Sequence, residues 1–273
     1  MSLYGQLAEN LMYISPSFYK QRFFKKLKNV NIENALERGI EPELVWIKNF
    51  LPKDAVFFDV GANVGAYIYI LENHLKPENI YAFEPNPQLF KRLKKLFPKV
   101  NILPYALSNK NAKSRLKIPI IKGRKVMARG TLKIRLKEKG EEKAILQTVI
   151  VKRLDDWAEQ NVIDRIDFIK IDVEGNETYT VDGMIDIILR MKPVLMIEIE
   201  QRHHTRPIWD YICYFERYGY DVYYLDRKKH ILMPLTQNIL KQQSEANEKD
   251  KQKYINNIIF LPKSNECSSK TKF

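Results

Sequence analysis

The segment Val56-Phe57-Phe58-Asp59-Val60-Gly61-Ala62-Asn63-Val64-Gly65 constrains this chain more than any other. An apolar run ends in a carboxylate, and a glycine-bracketed turn then opens into Ala66-Tyr67-Ile68-Tyr69-Ile70-Leu71-Glu72. The pattern predicts a buried strand, a tight turn and a helix start, where an α/β fold holds a nucleoside cofactor. Glycine is needed where the backbone turns sharply and a Cβ would obstruct a ligand. Nineteen residues after Gly65, the apolar run Ile80-Tyr81-Ala82-Phe83 ends in Glu84, an acid placed to accept hydrogen bonds from both ribose hydroxyls. A dinucleotide fits poorly. Its fingerprint is G-x-G-x-x-G, with the second glycine lying against the pyrophosphate. Here Asn63 takes that position and the spacing is G-x-x-x-G. A ribose-bearing cofactor without a pyrophosphate fits better, and S-adenosylmethionine is the candidate.

The 273 residues suffice for one large domain or two small ones. A hydrophobic fraction of 45% with 15 Tyr, 13 Phe and 3 Trp excludes general disorder. There is no apolar run of transmembrane length and no N-terminal signal pattern. Cys213 and Cys267 lie far apart, which predicts neither a zinc site nor a disulfide framework and makes a reducing cytoplasm the default. The net charge of +13 is concentrated. Between Lys110 and Arg153, fifteen basic residues face only Glu138, Glu141 and Glu142, a net of +12. The segment reads either as a contact for an anionic partner (an acidic or phosphorylated glycan, a lipid headgroup, nucleic acid) or as a solvated β-hairpin.

The first fifty residues read as a helical extension. Phe18, Phe23, Leu27 and Val30 recur beside Lys20, Arg22, Lys25, Lys26 and Lys28, so residues 18–30 either lie on a membrane surface or pack on the following domain. Pro42 and Pro52 bracket a helix over 43–50. From residue 51 to 263 strands and helices alternate. Strands are predicted at 56–60, 80–84, 100–104, 166–173, 194–199, 220–225 and 257–261, and helices at 64–75, from Asn86-Pro87 to before Pro98, 154–160, 176–191 and 208–218. A basic β-hairpin insertion over 110–153 has arms at 115–118 and 131–136, where residues alternate with period two. Residues 264–273 read as a disordered tail.

A second signature is Asp167-Phe168-Ile169-Lys170-Ile171-Asp172-Val173-Glu174-Gly175-Asn176-Glu177. Lys170, Asp172 and Glu174 share one side of the strand, which is costly in a core unless they pair or face a cleft. The carboxyl end of a parallel strand supplies the cleft. With Phe58 to Gly65, Ala82-Phe83-Glu84-Pro85-Asn86-Pro87, Ala106-Leu107-Ser108, Met196-Ile197-Glu198-Ile199-Glu200 and Asn257 to Lys263, the chain resembles the FkbM family of S-adenosylmethionine-dependent methyltransferases over residues 56–263.

That resemblance implies a Rossmann-like class I methyltransferase fold. Its seven-stranded, mostly parallel sheet has the order 3-2-1-4-5-7-6, the last strand antiparallel, and helices on both faces. It implies O-methylation of a hydroxyl on a small molecule or glycan. Asp59, Gly61, Asn63 and Gly65 would hold the methionine end of the cofactor, Glu84 with Pro85 and Asn86 the ribose side, and Tyr105 to Leu107, including Ala106, the adenine. Asp172 and Glu174 would face the methyl-transfer site. An alcohol is a poor nucleophile and gains from a base within hydrogen-bond reach. Asp172 is the first choice, with Glu174, Glu198, Glu200, His203 and His204 as alternatives; His204 attracts interest because imidazole titrates near neutral pH. Arg124, Lys125 and Arg129 are expected to engage an acidic or phosphorylated acceptor, with Glu198, Glu200 and His203 near it. No ligand spacing supports a metal. A nucleic-acid substrate is disfavoured. The stretch Asp172-Val173-Glu174-Gly175 replaces the proline-rich turn that base amino-methyltransferases resemble one another in, and the basic insertion lacks aromatics for stacking.

Overall fold

A computed structural model describes residues 11–244 and 250–263. The predicted tail at 264–273, with Cys267, falls outside the described residues. The central strands are β1 (Phe57–Val60), β2 (Ile80–Phe83), β3 (Asn101–Leu103), β8 (Phe168–Ile171), β9 (Val194–Glu198), β10 (Tyr220–Asp226), β11 (Ile231–Pro234) and β12 (Asn257–Pro262). They form one sheet in the order β11-β10-β12-β9-β8-β1-β2-β3. Counted without β11, this is the expected 3-2-1-4-5-7-6, and β12 runs antiparallel to both β9 and β10. The difference from expectation is the eighth strand. The run Ile231–Pro234 follows the turn at Asp226 and pairs back on β10 as an antiparallel edge.

β1 and β8 are buried on both faces, as central parallel strands are. Alternation sorts their side chains into two layers. Phe58, Val60, Ile169 and Ile171 join Trp157 and Ala158 of α5 (Leu154–Gln160), Val181 of α6 (Glu177–Asp182), Ile187 of α7 (Ile185–Met191) and Ile212 of α8 (Ile208–Glu216). Phe57 and Phe168 join Trp46 of α2 (Pro42–Phe50), Ile68 of α3 (Ala66–Leu71) and Leu93 of α4 (Pro87–Leu96) on the other. The single helix predicted over 176–191 is broken into α6 and α7. At Gly183 the chain packs so closely on the backbone after β4 (Tyr105–Leu107) that an added Cβ would stand 2.0 Å from Ser108 O.

The basic segment forms a second sheet, β4-β7-β5-β6, with β5 (Ala112–Ile121) antiparallel to β7 (Glu141–Lys152) and a two-residue β6 (Arg124–Lys125). The return arm is β7, not residues 131–136. The latter form a loop that touches β5 through one bridge, Lys117 to Thr131. Buried Lys117 fixes that loop by pairing with Glu141 at 2.7 Å and donating to Leu136 O. Leu146 and Ile150 are exposed on β7, which blurred its alternation in the sequence.

At the N-terminus, α1 (Pro16–Phe23) packs on the domain one residue out of the expected register. Tyr19 and Phe24 are buried and the Phe24 ring stacks on Tyr69 at 4.5 Å, while Phe18 and Phe23 are exposed. The helix α2 is tied to the far end of the chain by buried polar groups. Arg227 Nε donates to Glu43 Oε1 at 2.9 Å, its Nη2 donates to Asn256 Oδ1 at 2.9 Å, and Asn256 Nδ2 donates to Glu41 Oε1 at 2.9 Å. Among the described residues no helix is long and apolar enough to cross a membrane. Arg227→Met leaves the Glu43 charge buried without its partner, and the expected cost is about 3–5 kcal/mol in urea denaturation.

Candidate active site

Four chain segments leave the carboxyl ends of the parallel strands together. These are the turn after β1, Glu84 after β2, the strand β4, and Asp172 to Glu174 after β8. They border a cleft of about 590 Å³, counting the part open to solvent. Gly61, Asn63, Glu84, Pro85, Asn86, Ala106, Leu107, Asp172 and Glu174 all line it. Gly61 has a positive φ of 84°, and a Cβ there would stand 1.8 Å from Asp172 O, so only glycine lets the β1 turn cross the end of β8. Asn63 and Glu174 are non-glycine residues at φ 50°, a strained conformation that gathers at functional sites.

Two expected residues stand behind the cleft wall. Gly65 packs against Leu93 and Phe97 on the far side of the turn. Asp59 lies under the turn, and register places it beside Lys170 of β8. It is 1% exposed, and neither of its oxygens has a hydrogen-bond partner. Burial pushes its carboxyl up to about 6, with Lys170 opposing and Asp172 adding to the rise. Lys170 Nζ donates to Asp172 Oδ2 at 2.8 Å and remains charged, because Asp172 and Asp59 outweigh the burial that works against it.

Glu84 accepts from Asn63 N and Asn86 N, both at 2.7 Å, one bond to each oxygen. A carboxylate has about four acceptor positions, so each oxygen keeps capacity for a hydroxyl donor. Burial pushes Glu84 up to about 8, with the two backbone donors pulling the other way. Asn86 caps α4 by accepting from Gln88 N at 3.0 Å, and its Nδ2 and Asn63 Oδ1 are buried without partners.

Glu174 stands where three segments meet. Its backbone oxygen accepts from Thr131 Oγ1 at 2.7 Å. Its Oε2 is 3.5 Å from Arg202 Nη2 and 3.3 Å from His203 Nε2. Burial pushes its carboxyl up to about 8, with Asp172 adding and Arg202 opposing. Glu138 completes the group, 2.9 Å from Arg202 and 3.1 Å from Arg129. Glu138, Glu174 and His203 bring three donor atoms within 4.8 Å of one another, a grouping their sequence spacing did not reveal. His203 is held below its ordinary value by burial and by Arg202.

Other expected residues lie elsewhere. The His204 side chain is 1% exposed, bonded to Glu177 Oε2 at 3.2 Å and set against Tyr211, and it does not line the cleft. Neither histidine is the exposed loop residue that a His-His pair commonly is. Glu198 accepts from Asn256 Nδ2 at 3.1 Å, and Glu200 pairs with Arg202. Arg124 and Lys125 are exposed on β6, away from the cleft lining. What the insertion brings to the cleft is apolar: Leu116, Met127, Ala128, Gly130 and Leu132. Lys133, next to them, lies with its Cδ 3.3 Å from a Cβ built on Gly175 and donates to His203 O at 3.1 Å. Period two placed Leu116, Leu132 and Lys133 on hairpin arms and marked none of them for the cleft, because the segment that carries Met127 to Lys133 is a loop shaped by contacts with distant segments.

Residues 59–222 match the methyltransferase FkbM domain, and the chain belongs to that family. It is 26% identical over 163 residues to the hexuronic acid methyltransferase AglP of Haloferax volcanii, a match covering 58% of this chain and 62% of AglP. Among solved structures, the methyltransferase FkbM of Methylobacillus flagellatus gives a TM-score of 0.46 at 13% identity, over 77% of this chain and 44% of that one. A TehB-like SAM-dependent methyltransferase of Corynebacterium glutamicum gives 0.43 at 13%, over 90% and 98%.

The residues present suit the cofactor. Asp172 lines the cleft and Asp59 lies beneath it, two carboxyl groups against one ammonium, Lys170, a setting suited to a cationic donor. The unpartnered atoms of Asn63 and Asn86, which line the cleft, supply polar contacts that the protein itself leaves unmade. At pH 7 a Glu84 carboxyl near 8 is protonated in most free molecules, whereas two ribose donors require the carboxylate. Cofactor binding is therefore expected to release a proton, and affinity to rise toward pH 8, roughly tenfold per unit, and level above it. Calorimetry across pH in buffers of different ionisation enthalpy checks this, and Glu84→Gln should flatten the profile.

Proposed function

We propose that the chain methylates a hydroxyl of an acidic sugar or glycan, with Glu174 as general base and Lys133 as the anchor for the acceptor's negative charge. One observation carries the reading. Glu174, a carboxyl near neutrality, lines the cleft, and the side chain of Lys133, without a carboxylate partner among the described residues, lies against the adjacent Gly175. The likeness to a hexuronic acid methyltransferase supports an acidic acceptor.

S-adenosylmethionine supplies an electrophilic methyl group on a positively charged sulfur. The protein's part is to place the acceptor oxygen in line, exclude water and take the hydroxyl proton. Asp172 is held by Lys170 at 2.8 Å on the cleft floor. Glu174 meets the base's requirement better, because a base works best when its pKa lies near the working pH. Its Oε2 is steadied by Arg202 and His203, which leaves Oε1 outside that network for the acceptor. The apolar loop residues Met127 and Leu132 shield the reacting centre from water.

Turnover should rise with pH as Glu174 loses its proton near 8, and kcat reports this separately from the cofactor affinity that Glu84 governs. Glu174→Gln is expected to lower kcat by about 100-fold or more with cofactor Kd nearly unchanged. Retained turnover would transfer the role to Asp172. Lys133→Ala should raise KM for a hexuronide about tenfold or more while leaving KM for its neutral, esterified analogue unchanged. Equal effects on both acceptors would remove Lys133 from charge recognition.

A further inference from the structure

Far from the cleft, two basic helices meet. Residues 11–30 carry Lys20, Arg22, Lys25, Lys26 and Lys28 with no acid, and residues 88–99 carry Lys91, Arg92, Lys94, Lys95 and Lys99 with no acid. The fold brings the stretches together, because Lys20 Nζ lies 4.2 Å from the Phe97 ring centroid and the Arg92 guanidinium 5.4 Å from that of Phe23. An open groove between them is lined by Lys20, Lys28, Lys94, Lys95 and Lys99. Of these, Lys20 already pairs with Glu72.

Beside this charge stand apolar side chains that the protein does not cover. Ile14 is 81% exposed, Tyr13 61% and Phe18 55%. Phe18 and Arg22, four residues apart on α1, share a helix face, while Tyr19 and Phe24 serve as the inward anchors. Pro77 and Val100, which precede β2 and β3, line this groove, so it lies toward the amino ends of the strands, whereas the cleft lies at their carboxyl ends.

We propose that this surface docks on an anionic lipid bilayer. The basic residues meet headgroup phosphates, and Tyr13, Ile14 and Phe18 enter the boundary between headgroups and acyl chains. Exposed apolar side chains beside a cluster of lysines gain from both parts of such a surface. Lysine stems lie along apolar ground while their ammonium groups reach phosphate. Nucleic acid would reward the charge but not the exposure of Ile14. With the cleft at the opposite end, docking leaves the acceptor's entry open.

The test is cosedimentation of the whole protein with phosphatidylcholine vesicles and with vesicles of phosphatidylcholine mixed with phosphatidylglycerol. Binding is expected only to the mixed vesicles, weakening as salt rises. K25Q/K26Q should reduce partitioning about 30-fold, since each lipid-facing lysine contributes about fivefold. I14S/F18S, which keeps every charge, should also weaken it. Methyl transfer to a soluble acceptor should be unchanged in both variants, which separates this surface from the catalytic reading. Equal binding to both vesicle types, no effect of either variant, or displacement of the protein from mixed vesicles by RNA at equal charge would overturn the proposal.

Discussion

The site depends on how two neighbouring strands place charge at their carboxyl ends. Parallel register sets Asp59 beside Lys170, and the period of the strand sets Lys170 two residues before Asp172. One ammonium therefore serves two carboxylates at the boundary between core and cleft. Burial raises the Asp59 carboxyl, and Lys170 opposes that rise. The arrangement gives the Lys170 hydrogen bond to Asp172 and leaves Asp59 without one. Gly61 is the geometric counterpart, because any side chain there would push the β1 turn off the end of β8.

Around that floor the chain has built a wall from its most variable-looking part. The insertion reads in sequence as a field of lysines and arginines, yet its contribution to the cleft is a row of apolar and small residues. Two of its charges are spent locally: Lys117 on Glu141, Arg129 on Glu138. Glu138 in turn helps Arg202 and His203 frame Glu174, so a residue of the insertion bears on the carboxyl that the reading above makes the base. Charge density along a sequence thus says little about which charges remain available in the folded protein.

Much of the sheet was legible because its strands are short apolar runs closed by glycine, proline or acid. Their order followed from the family resemblance, since periodicity alone identifies strands but not neighbours. The departures have physical causes. Helix 176–191 breaks because Gly183 meets the Ser108 backbone, a contact between residues far apart in sequence. The hairpin's return arm was displaced because Thr131 to Leu136 alternate cleanly whereas exposed Leu146 and Ile150 blur the alternation of Glu141 to Lys152, which buried Lys117 joins by pairing with Glu141. On α1 the buried face was shifted by one residue, since Phe23 and Phe24 are equivalent in hydrophobicity and only the neighbouring Tyr69 and Phe97 distinguish them.

By itself, the order of residues determined the strand-turn-helix that receives a nucleoside, the acid after the second strand, and the charged strand end opposite them. Each is a local pattern whose chemistry is carried within a dozen residues. Tertiary structure alone decided that His204 is bonded to Glu177 away from the cleft, that Lys133 lies against Gly175 beside Glu174, and that Glu174 is held near neutrality by burial among Asp172, Arg202 and Glu138. Desolvation and the positions of neighbouring charges are properties of the packed molecule, and no spacing along the chain encodes them.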